Sequence, residues 1–128
     1  MATEVLVNDG GAPARILPFT AGSSLTAGRV VTMASDGEID HAASGAHYVL
    51  GAAFVDANSG NTASVISGRG VILQLAVSGN VAIDAGTTLD VSNGGDGVLV
   101  SGTTNKVAAA LESVTSGSLS TIKCMMIR

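Results

Sequence analysis

Apolar residues in this chain fall in short runs, each closed by a cluster of Gly, Asn, Asp or Ser. Val71 to Val77 (VILQLAV) alternates with a period of two, as a half-buried strand does. The same reading predicts strands at Arg29–Ala34, Glu38–Asp40, Tyr48–Val55, Thr62–Ile66, Val81–Ile83, Thr88–Val91, Val98–Val100, Val107–Val114 and Thr121–Ile127. Val107 to Glu112 (VAAALE) has helix-forming residues but is too short for a free-standing helix, and it is read as a strand. Many short strands with Gly, Asn and Asp turns predict an all-β fold, a small barrel or sandwich.

Residues 1–24 read differently. They hold both prolines, Pro13 and Pro18, and a flexible Asn8-Asp9-Gly10-Gly11 turn between Thr3–Val7 and Arg15–Phe19. Proline removes a ladder donor, so this segment predicts an extended N-terminal arm ahead of a β domain at 25–128. A hairpin at a sheet edge is the other reading.

Within the β domain the sequence returns on itself. Val49 to Ile66 (VLGAAFVDANSGNTASVI) aligns with Val107 to Lys123 (VAAALESVTSGSLSTIK), matching Ser59-Gly60 to Ser116-Gly117. Leu25 to Val31 aligns with Ile83 to Leu89 at nearly the same offset of about 57–58 residues, pairing Ala27-Gly28 with Ala85-Gly86. Asp36-Gly37 answers Asp96-Gly97 after a slip of two residues. These matches predict two similar β units, about 25–77 and 81–127.

Composition narrows the function. The 128 residues are 46% hydrophobic but 2% aromatic, so the core volume must come from Val, Ile, Leu and Ala. Charged residues are scarce at 12%, which suits a chain that hides surface in an assembly. Net charge is −4, and Arg15, Arg29, Arg69, Lys106, Lys123 and Arg128 never cluster, which argues against nucleic-acid binding. No apolar run is long enough for a transmembrane helix, and Met1-Ala2-Thr3-Glu4 does not start a secretory signal. Cys124, the single cysteine, reads as a buried thiol, compatible with synthesis in a reducing host cytoplasm.

Candidate chemistry is thin. Only His41 and His47 could act as a near-neutral base, and both flank one polar loop with no Gly-x-Ser-x-Gly elbow in the chain. Alternation points Asp36, Glu38 and Asp40 to one face, with His41 adjacent; such a row could hold a hard cation, or simply form an acidic edge that discourages wrong pairing. Asn93-Gly94-Gly95-Asp96-Gly97 is a single copy of what a calcium nonapeptide repeat needs in tandem. No phosphate loop or dinucleotide fingerprint is present. A non-enzyme without cofactor or metal is the expectation.

The order of Gly-centred strand starts carries a family resemblance. It runs through Ala27-Gly28-Arg29-Val30-Val31, Val49-Leu50-Gly51-Ala52-Ala53, Gly68-Arg69-Gly70-Val71, Ala85-Gly86-Thr87-Thr88-Leu89 and Val107 to Glu112. From about Leu25 onward the chain resembles the capsid decoration (cement) proteins of tailed bacteriophages, in particular the DUF2190 family, similar in role to the lambda head-stabilising protein. The resemblance implies a domain on the outer surface of the expanded capsid, a homotrimer that binds the major capsid protein and bridges neighbouring capsomers. The arm residues Val5, Leu6, Val7, Ile16, Leu17 and Phe19 are the expected capsid contact. A tail-tube or fibre β domain is the rival within the virion. A carbohydrate-binding module would lean on exposed aromatics, for which only Tyr48 offers itself, and a small hydrolase would need His41 or His47 in a cleft.

Overall fold

A computed structural model of the chain describes residues 5–8, 15–43, 48–78, 82–92, 94–103, 106–115 and 119–127. The strands are β1 (Leu6–Asn8), β2 (Arg15–Ala21), β3 (Val30–Ser35), β4 (Glu38–His41), β5 (Val49–Ala53), β6 (Thr62–Ser67), β7 (Ile72–Val77), β8 (Thr88–Val91), β9 (Leu99–Ser101), β10 (Ala108–Ala110) and β11 (Ser120–Met126). Among the described residues no helix is long and apolar enough to cross a membrane.

Two five-stranded units share one topology. In the first, β2, β4, β3, β5 and β6 close into a barrel in that order, with β2 and β6 antiparallel and β2 and β4 parallel. In the second, β7, β9, β8, β10 and β11 repeat those pairings, down to a parallel bridge between Val77 and Leu99. β1 adds to β7 through Leu6 and Leu73. The internal repeat in the sequence is therefore a repeat in space, but with other bounds than the expected 25–77 and 81–127: β2 (Arg15–Ala21) opens the first unit, and β7 (Ile72–Val77) opens the second because it pairs with β9 and β11.

The repeated Ala-Gly steps explain why the register survives. Arg29 N–H donates to Thr26 C=O and Thr87 N–H to Asp84 C=O, closing two equivalent turns. Gly28 (φ 85°) and Gly86 (φ 94°) hold the third position of each, in a conformation that side chains with Cβ disfavour. Each turn is then pinned to the far hairpin: Gly28 N–H donates to Ala53 C=O and Gly86 N–H to Ala110 C=O. Isolated bridges Leu25 to Ala57 and Ile83 to Val114 complete the correspondence.

Both faces of several strands are apolar, because the units pack side by side. Val31, Ala53 and Val65 fill the first barrel with Ala21, Leu25, Ile39 and Ala63. Their chain neighbours Val30, Ala52 and Ile66 point the other way and join the core of the second unit. Backbone bonds cross the same seam: Val30 N–H donates to Gly97 C=O, Gly97 N–H to Ala42 C=O, and Ala76 N–H to Gly28 C=O.

Arg15–Ala21, expected within an extended arm over 1–24, is instead a paired strand. Arg15 to Thr20 pair residue for residue with Ser67 to Thr62, so β2 is a wall of the first barrel. Pro18 is tolerated for a geometric reason. Thr20 N–H donates toward β4 at Gly37 C=O and Ala21 N–H toward Asn61 C=O beside β6. By alternation, the missing N–H of Pro18 lies on the side away from β6 and costs no ladder bond. The Val107–Val114 strand is shorter than expected: β10 ends at Ala110, and Val114 instead bridges Ile83. Val81, Asn93, His47, Pro13, Asp9 to Gly11 and Ser116-Gly117 lie outside the described residues.

Candidate partner-binding surface

The acidic row around β4 is spent on local structure. Glu38 accepts a hydrogen bond from the Ser35 hydroxyl (2.9 Å), and Asp40 accepts one from the Ser23 hydroxyl (2.8 Å). Thr26 N–H donates to His41 Nε2 (3.0 Å), and Asp36 is exposed at the β3–β4 turn. Among the described residues no three His, Cys, Asp or Glu side chains come together. Burial first, and Arg29 second, lower the His41 pKa below its ordinary value against the opposing pull of Asp96 and Asp40, so the ring is held neutral as an acceptor.

Asp96 ties the seam between the units. Its Oδ1 accepts from the Ser92 hydroxyl (3.1 Å) and from Val98 N–H (3.3 Å), while Arg29 Nη1 donates to its backbone carbonyl (3.3 Å). Burial works against the charged carboxylate, yet these hydrogen bonds and Arg29 hold its pKa below the ordinary value. Cys124 is buried, and burial followed by Glu112 pushes its thiol up to about 12, far from a reactive thiolate. These groups are structural.

An open depression of about 700 Å³ lies along β8 and β9, lined by Ser78, Asp90, Ser92, Asp96, Val98 and Leu119. No aromatic ring lines it. Tyr48, the exposed aromatic expected of a sugar platform, sits instead at the start of β5 in the first unit.

The feature that stands out is the first half of β2. Burial along Arg15–Ala21 runs from exposed at the N-terminal end to fully buried at Ala21. Ile16 is 50% and Leu17 43% exposed, on opposite faces of a strand that overhangs the barrel. Phe19 is half-buried and packs on the first core. The remaining residues expected at a contact divide. Val5 is 2% exposed within the shared core and is unavailable to a partner, while Leu6 and Val7 belong to β1, whose backbone lies along β7. Sequence reasoning did not single out Val55, Leu111 and Leu119, which are also exposed: Val55 and Leu111 fall within the expected strands Tyr48–Val55 and Val107–Val114 but lie in bends beyond β5 and β10, and Leu119 directly precedes β11.

No protein-family model matches the chain, DUF2190 included, and no curated protein sequence matches it. A solved virion component of a bacteriophage does. It is the N base of the head fibre gp8.5 of bacteriophage phi29, 23% identical in sequence, with a TM-score of 0.62. The likeness covers 91% of this chain and 99% of that one, and it shows that the two share a fold.

Proposed function

We propose that this chain is a structural β domain of a tailed-phage virion, seated on the outer surface of the head. The observation that carries the reading is the shared fold with a head-fibre base over nearly the whole of both chains. A fibre base therefore takes precedence over a cement protein. The role needs neither reaction nor cofactor, and the histidine and carboxylates described above are engaged in turns and in the seam between units.

In this reading the partner is the major capsid protein, and the overhanging end of β2, with Ile16 and Leu17, meets it. Capsomer bridging is a finer reading, favoured by the duplicated architecture: two like units present two related surfaces to neighbouring subunits. Self-association into a homotrimer would multiply weak contacts, since linked sites release slowly even when each is modest. The test is co-sedimentation of the purified protein with expanded, undecorated shells of its own phage, with unexpanded procapsids alongside. Saturable binding to expanded shells supports the head-surface role. Rings or stacks in solution, with no shell binding, would favour a tail tube instead.

A further inference from the structure

We propose that the outer edge of β2 is a docking site for an extended, acidic strand of a second protein, which pairs with it through the main chain. The inference rests on the virion reading above and names the chemistry of the partner. β4 lies beside β2 only at Thr20 and Ala21. From Arg15 to Pro18, β2 has a neighbour on one side alone among the described residues, β6. Alternation turns the N–H and C=O of Ile16 and the C=O of Pro18 to the open side, and among the described residues no backbone group meets them. An incoming strand can thus make two bonds at Ile16 and one at Pro18. The side chains of Ile16 and Leu17, exposed on the two faces, offer it apolar contact.

Charge selects the occupant. Arg15 is exposed beside this edge, and Arg69 is exposed in the bend just after Ser67, the residue paired with Arg15. No described carboxylate pairs with either, in a chain whose net charge is −4. A strand bearing a carboxylate at this end satisfies both. A second copy of β2 fits poorly. Antiparallel pairing centred on Leu17 sets Ile16 against Pro18 of the other copy, and the missing N–H halves the bonds. Pairing centred on Ile16 brings the two Arg15 side chains diagonally together, which like charges oppose.

The test uses the full chain and expanded, undecorated shells. Ile16→Pro removes one edge donor without touching the β6 ladder, and should weaken shell binding about tenfold. Arg15→Glu should weaken it by a similar factor and flatten its salt dependence. Val55→Ser, at an exposed position in the bend after β5, should bind as the unaltered protein does. Melting temperatures establish that each variant is folded; should Ile16→Pro fail to fold, the exposed Arg15→Glu decides alone. Binding of the folded variants equal to that of the unaltered protein overturns the strand-edge site while leaving the head-surface role standing. No binding by the unaltered protein overturns both. A dimer in sedimentation velocity that Ile16→Pro converts to monomer overturns the heterologous partner in favour of a second copy.

Discussion

Gly37 and Gly97 occupy the same turn of the two units with nearly the same backbone, φ 73° and 70°, yet their surroundings differ. A Cβ on Gly37 would meet nothing within 4 Å, whereas one on Gly97 would lie 2.5 Å from the Val30 carbonyl oxygen. Gly37→Ala should therefore cost only the left-handed strain, about 1 kcal/mol. Gly97→Ala adds a clash at the seam and should cost about 3 kcal/mol in urea unfolding. His41 makes a prediction in pH. Its folded pKa lies below the ordinary 6.5, so on acidification the unfolded chain takes up the proton first. The stabilisation is whole above 6.5 and is lost as pH falls through the folded value. Asp96, also lowered, loses its own contribution in a separate, more acid window below 3.8. Urea midpoints should fall between pH 7.5 and 5 in the unaltered protein, and less so in His41→Gln. An equal fall in both would remove His41 from the account. The Asp-Gly correspondence was legible in the sequence, because only glycine suits that φ. The inequality of the two glycines was not, since it depends on which residue of the other unit lies against each.

At the scale of elements, β2 carries the main correction. Pro18 identifies an edge, but it does not say whether the edge belongs to a free arm or to a barrel. The answer lies in the direction of one N–H, which the residue string does not contain. The consequence is testable. Removing residues 1–19 takes away five of the six Cα pairs between β2 and β6, Arg15 to Phe19, and with them Val5 from the shared core. The truncated chain should lose its native far-UV signal and its cooperative urea transition; a stable fold would mean that β2 is dispensable after all. The two turns built on Ala27-Gly28 and Ala85-Gly86 show the opposite case. Their glycines were plain in the sequence, although the acceptors that brace them differ in kind, the Asp56 carboxylate for Ala27 N–H and the Ser113 hydroxyl for Ala85 N–H. Equivalent roles filled by unlike residues leave few identities to align.

For the molecule as a whole, the duplication does not make two independent domains. Val30, Val49, Ala52 and Ile66 of the first unit complete the core of the second, and backbone bonds cross between them. Residues 70–128 alone should stay unfolded in one-dimensional proton spectra, and the full chain should melt in a single transition. All-β class, strand order by run and the repeat were readable from alternation and turn residues. Of the residues expected to meet a capsid, Ile16 and Leu17 are exposed and Val5 is core; the sequence does not separate them, because apolar residues near a terminus look alike whether they face solvent or are already buried. The most direct test of the central claim is a cryo-electron microscopy reconstruction of the intact virion at a resolution that separates strands. Two adjoining five-stranded units on the outer head surface, with Arg15 to Pro18 against a subunit of the shell, are the predicted result. The same density found within the tail, with the head surface bare of it, would contradict the account.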